Sequence, residues 1–165
     1  MKINKDLNSL TEKEFISIFG SIFEKSKSIA IKTFKQKPFK NREDLMNKML
    51  KVFKTSPTAE IKKILNLHPK LAIERKLTTF SSSEQKQAKL DRCTDDEFDE
   101  FNKLNLNYKK KFGFPFIIAV KGKNKKEILI NFRFRIKNNY EKEFQEAKKQ
   151  VMKIALFRLK DLFKN

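Results

Sequence analysis

The chain contains one histidine, His68, and Pro69 follows it, so any imidazole general base in this protein is His68. The proline biases His68 toward extended geometry just past a predicted helix end, which projects the ring away from the turn below. A lone histidine tucked against a helix terminus with no chemistry is the competing reading. Arg158 is the second candidate. In the predicted last helix Phe144, Ala147, Val151, Ile154, Ala155 and Leu162 form one apolar stripe, and at about 100° per residue Arg158 falls in its middle. A guanidinium facing a core stays charged at any relevant pH. It needs an anion, either a ligand's carboxylate or an internal Glu, unless it snorkels to the edge. Third come Glu84 and Gln85 in SSSEQ, at a predicted helix start. A glutamate three residues after Ser81 closes a capping box and needs no further purpose. A helix N-terminus also offers free N–H groups and favours anions, which suits a wall for a polar substrate.

The familiar catalytic templates are absent. The sequence holds no Gly-rich phosphate loop, no G-x-S-x-G elbow and no H-E-x-x-H motif. One Cys and one His cannot supply the usual nitrogen and sulfur ligands of zinc, so no metal site is expected. Cys93 would act as a nucleophile only with a base beside it, and a structural thiol is the simpler reading.

The elements that must position these residues read as helices. Thr11 and Glu14, flanked by Leu10 and Phe15, match a capping box with a hydrophobic staple, and Phe15, Ile18, Phe19, Ile22 and Phe23 follow at helical spacing. Ile29, Ala30 and Phe34 predict a second helix ending before Pro38. Asn41 caps a third, carrying Leu45, Met49, Leu50 and Phe53. Ser56 and Pro57 read as N-cap and first residue of a short helix that stops near His68. Residues 69–80 read as a loop, and the Ser81–Glu84 box then opens a helix. Thr94 and Glu97 open another, with Phe98, Phe101, Leu104 and Tyr108 on one face. FGFPFIIAV must be extended around Pro115. Residues 126–136 fit a strand or a helix equally, and a last helix spans about 139–163.

Length and composition bound the rest. With 165 residues and 17 Phe, one domain over 1–165 is expected, and three Gly and four Pro favour long helices over a β-sandwich. The single Cys fits a reducing compartment. No stretch serves as a signal-peptide core or approaches the length of a membrane span, so a cytoplasmic protein away from membranes is expected. The formal charge of +19 suggests nucleic acid, yet it is mostly lysine spread along the chain, with six arginines, and a basic field also attracts a small carboxylate.

Taken in order, these landmarks resemble one family. LNSLTEKEFISIFGSIFEKS is similar to an opening in which a Leu-Asn pair leads to a Phe-Glu-x-Ser element, and KQKPF resembles an Arg-Pro-Phe element with Lys37 for arginine. HPKLA resembles His-Pro-Asp-Leu-Ala, with Lys70 at the aspartate. SSSEQKQAKL resembles Ser-x-x-Glu-Gln-x-x-Ala-Gly-Leu, with Lys89 at the glycine. LNLNYKKKFGFPFI resembles Asn-x-x-Tyr-x-x-x-Phe-Gly-Phe-Pro-Phe-Ile, and Arg158 and Leu159 match a closing Arg-Leu. These motifs, in order over roughly 150 residues, resemble the 2-oxo-4-hydroxy-4-carboxy-5-ureidoimidazoline (OHCU) decarboxylases. The SKS run after Glu24 departs from the family's Ser-Pro-Trp.

The resemblance implies an all-α fold, a single multi-helix domain with a short extended segment around 113–121, and a homodimer. It implies a cofactor-independent carboxy-lyase giving (S)-allantoin in urate breakdown, with the upstream hydroxyisourate hydrolase as a further partner. Carried over by position, His68, Glu84 and Arg158 are catalytic, while Pro69, Ser81, Gln85 and the backbone of Phe116, Ile117 and Ile118 shape the pocket. A substrate whose carboxylate and hydroxyl share one carbon beside a ring C=N supplies its own electron sink, so neither coenzyme nor metal is required. The rival readings are a lysine-rich helical module for nucleic acid and an inactive family member kept as a structural partner.

Overall fold

The computed structural model describes residues 6–72, 79–90 and 93–164, and among these it contains eight helices and no strand. They are α1 (Glu12–Phe19), α2 (Ser28–Phe34), α3 (Arg42–Thr55), α4 (Thr58–Leu67), α5 (Thr79–Gln87), α6 (Asp95–Phe112), α7 (Lys125–Arg135) and α8 (Tyr140–Phe163). The expected all-helical class holds. None of these helices is long and apolar enough to cross a membrane.

The start signals act as read at three places. Thr11 and Glu14, and Thr94 and Glu97, form reciprocal capping boxes, and Asn41 Oδ1 accepts from the Asp44 N–H at 2.8 Å. Residues 126–136 resolve as helix because Asn124 and Glu127 form a further capping box at the head of α7. Two expected caps are displaced. The Ser56 hydroxyl donates back to the Val52 carbonyl at the end of α3, while the Pro57 carbonyl accepts the first N–H bonds of α4. Ser81 is not a cap either, because α5 already starts at Thr79 and Ser81 lies buried in its first turn. Of the loop expected over 69–80, residues 73–78 lie outside the described residues.

The chain divides into two compact units, Met1–Leu67 with Met152–Asn165, and His68–Val151. In the first, Phe15 meets Phe19, Phe34 and Phe39 at ring separations of 4.6–5.8 Å, and Phe23 stacks on Phe53 at 4.9 Å. Ala155 and Leu159 from the end of α8 are buried in it. In the second, Tyr108 is ringed by Phe112, Phe114, Phe116 and Phe132 at 4.6–6.0 Å. Its α6 presents Phe101, Asn105, Tyr108 and Phe112 to the core, whereas Phe98 is 42% exposed. Of the expected stripe of Phe98, Phe101, Leu104 and Tyr108, Phe101 and Tyr108 are buried, and a polar residue, Asn105, lies between them at the centre of the buried face.

Candidate active site

His68 follows the last residue of α4 and is buried, with Pro69 half-buried and Lys70 exposed. The chain then turns through Leu71 and Ala72, and Ala72 takes a left-handed φ of 56°. A side chain of α5 meets this turn at two points. Gln85 Oε1 accepts from the Ala72 N–H, and Gln85 Nε2 donates to the Lys70 carbonyl, both at 3.2 Å. Gln85 thereby ties α5 to the loop that follows His68; the buried Ser81 lies one turn before it on the same helix, and the half-buried Glu84 is its neighbour in sequence. Lys109 of α6 has its ammonium held below the ordinary lysine range, first by burial and then by the charge of Lys70. In this chain Lys70 stands where the resembled motif has aspartate.

Segment 115–120, expected to be extended around Pro115, has neither helix nor strand and is buried along its length. Gly113 ends α6 at φ 75°, a conformation that favours glycine, and so turns the chain into this segment. A buried polar cluster fixes its backbone. Arg135 Nη1 donates to the Ile117 carbonyl at 2.8 Å, and Arg135 Nε and Nη2 donate to Glu143 Oε1 at 3.0 and 2.5 Å. Tyr108 also donates to Glu143 Oε1, and Asn138 Nδ2 donates to Oε2 at 2.8 Å. Burial and the neighbouring Glu143 carboxylate push the Tyr108 phenol far up, so it remains a donor at every working pH. Further on, the Ala119 N–H is taken by Gln150 Oε1 at 2.9 Å. The Phe116 ring stacks on Phe132 at 3.8 Å and belongs to the core, so only the main chain of this segment is available for recognition. Among the described residues, the N–H groups of Phe116, Ile117 and Ile118 meet no protein acceptor. Buried donors of this kind suit the oxygens of a polar ligand.

Arg158 is buried on the α8 stripe as its spacing requires. Its anion is Glu24, at 2.7 Å from Nη2, and Nη1 donates to the Ile22 carbonyl at 3.1 Å. Of the alternatives that periodicity left open for this guanidinium, the internal glutamate is realised. Glu24 lies in the turns after α1 at a left-handed φ of 55°, with its side chain 2% exposed.

Four residues escaped the sequence reading. Glu24 is in an irregular stretch, where no period marks a buried position. Arg135 had a signal, since it lies three residues after Phe132 and seven after Ile128 and thus shares the apolar face of α7. Glu143 had one too, four residues before Ala147 and eight before Val151. Asn105 had one as the Asn of the Asn-x-x-Tyr motif, but the apolar period of α6 gives no reason for a polar residue to be buried there. Among the described residues no three His, Cys, Asp or Glu side chains gather as a metal-ligand set.

Comparison with known proteins bears on this arrangement. A family model described as OHCU decarboxylase matches residues 8–160. A uric acid degradation bifunctional protein of Bacillus sp. (strain TB-90) is 40% identical over 160 residues, covering 97% of this chain and 32% of that protein. The chain thus spans about a third of the length of that relative. A 2-oxo-4-hydroxy-4-carboxy-5-ureidoimidazoline decarboxylase of Halalkalicoccus jeotgali is 34% identical over 158 residues, covering 96% of this chain and 90% of that enzyme. The crystal structure of an (S)-allantoin synthase matches with a TM-score of 0.78 at 29% identity, over 96% of this chain and 53% of the other. The ordered motifs, the all-helical fold and a match over nearly the whole length agree, and the chain belongs to the OHCU decarboxylase family.

Proposed function

We propose that this protein is a carboxy-lyase that decarboxylates 2-oxo-4-hydroxy-4-carboxy-5-ureidoimidazoline to (S)-allantoin in urate degradation. The observation that carries the reading is the buried His68, next in sequence to a turn tied down by α5, within a chain matched by the family over residues 8–160. His68 acts on the substrate hydroxyl as general base or hydrogen-bond acceptor, which is worth about 10²–10⁴-fold in rate. The carbon–carbon bond to the carboxylate breaks, carbon dioxide leaves, and the electron pair passes into the ring C=N. A proton delivered to one face then sets the configuration of the product. Glu84 accepts from the ureido and ring N–H groups, while Pro69, Ser81, Gln85 and the main chain of Phe116, Ile117 and Ile118 shape the pocket. Arg158, held by Glu24, acts as a counter-ion to the anionic substrate or orients Glu84. No coenzyme enters, because the substrate carries its own electron sink. We further propose that the protein works in the cytoplasm as a homodimer, alongside the hydroxyisourate hydrolase that supplies its substrate.

The test generates the unstable substrate in situ from urate with the two upstream enzymes and follows allantoin by circular dichroism. A fast rise of a single enantiomer is expected, and His68→Asn should fold yet lose most of that rate. Formation at the spontaneous rate with the unmodified protein would reduce the conclusion to a fold without an activity.

A further inference from the structure

Asn105 is the polar residue at the centre of an otherwise apolar face, and it is nearly fully buried in the middle of α6. An amide placed there loses its hydration and must find partners inside the protein. It has one. Asn105 Nδ2 donates to the Leu71 carbonyl at 3.1 Å, and among the described residues its Oδ1 meets no donor. Leu71 lies between the two residues whose main chain Gln85 holds, so two buried amides from two helices grip three consecutive residues. The gripped stretch begins two residues after His68, and Pro69 between them has a fixed φ. Left-handed backbone at Ala72 requires such over-determination, because a residue with a Cβ does not rest there unsupported.

We propose that Asn105, together with Gln85, is a positioning residue for His68: the pair locks the main chain at Lys70, Leu71 and Ala72 and so fixes where the imidazole stands. The catalytic part of this inference rests on the assignment of His68 as the reacting base. A donor at Asn105 is required, and its acceptor oxygen is not. An isosteric leucine removes the grip without changing the bulk of the side chain, and Gln85→Met does the same from α5. Misplacing a reacting group by about 1 Å costs on the order of 10²-fold in rate.

Because His68 is the only histidine, its ring gives a single set of imidazole NMR signals, which reports its surroundings independently of turnover. In Asn105→Leu we expect those signals to move or broaden, and kcat to fall about 10–100-fold with KM changed less than about threefold. Gln85→Met should move the same signals, and the double variant should add little, since both side chains act through one turn. Ring signals that move while turnover is unaltered would uphold the positioning role and remove His68 from catalysis. Unchanged ring signals in a folded Asn105→Leu protein, with His68→Asn inactive, would overturn the positioning role and leave His68 its chemistry. If Asn105→Leu does not fold, Gln85→Met decides by the ring signals of the substrate-free protein, unchanged signals overturning the positioning role. Loss of folded protein in both variants would overturn the proposal in favour of a purely structural amide pair.

Discussion

Removing either member of the Glu24–Arg158 pair should destabilise the protein far more than removing both. The two side chains are each 2% exposed and meet at 2.7 Å, so Glu24→Gln leaves a buried guanidinium without this anion and Arg158→Met leaves a buried carboxylate. Breaking one side of such a pair costs about 3–5 kcal/mol, whereas replacing both charges by neutral groups of similar volume is close to neutral. For a chain of this size each kcal/mol lowers Tm by about 2–4 °C, so either single substitution should lower it by about 6–20 °C. The double variant should melt within a few degrees of the unmodified protein, and a double-mutant cycle should return a coupling of about 3 kcal/mol or more. Urea and thermal unfolding followed by far-ultraviolet circular dichroism supply the stability data, and the allantoin assay runs on the same samples. A folded double variant that still turns over at the spontaneous rate is the expected result, since Arg158 is proposed to face the substrate as well as Glu24. Single substitutions costing less than about 1 kcal/mol would refute the energetic reasoning. A double variant with restored turnover would withdraw Arg158 from the chemistry.

Two further outcomes concern stability. Lys89 closes α5 at a left-handed φ of 56°, with the Leu90 N–H reaching back to the Gln85 carbonyl, so Lys89→Gly should raise Tm by about 1–4 °C, the left-handed cost of roughly 1–2 kcal/mol being partly offset by the extra freedom of unfolded glycine. In acid, the carboxyl of Glu97 is held down first by Lys125 and that of Glu100 first by Arg133, both below the ordinary glutamate value of 4.5. Groups depressed in the folded state stabilise it above the unfolded value and lose that contribution as pH falls through the folded one. The urea midpoint should therefore be level from neutral down to about pH 5 and drop below pH 4.5, and Glu97→Gln should flatten part of that drop.

The parts of this protein that were legible in its sequence are those governed by local chemistry. Thr11 with Glu14, Asn41, and Thr94 with Glu97 act as caps because a side-chain oxygen within three residues of an orphan N–H needs no tertiary help. The same grammar at Asn124 and Glu127 would have decided the strand-or-helix ambiguity of residues 126–136. Ser81 misled because a serine three residues before a glutamate is also an ordinary pattern inside a helix that has already begun. The α8 period placed Arg158 correctly but said nothing of what it meets. Glu24 lies 134 residues away in a turn, and no local rule connects the two. Asn105 and Gln85 show the same limit, since each is understood only through a main-chain partner on another element.

That separation along the chain also governs the order in which the molecule can be completed during synthesis. The unit built from Met1–Leu67 needs Met152–Asn165, whereas His68–Val151 is one uninterrupted stretch. A ribosome adding about 5–20 residues each second takes roughly 7–27 s to go from Glu24 to Arg158. Throughout that interval Arg158 is not yet available to the Glu24 carboxylate, so this buried pair cannot form. The 68–151 stretch is free to fold before the Glu24–Arg158 pair closes.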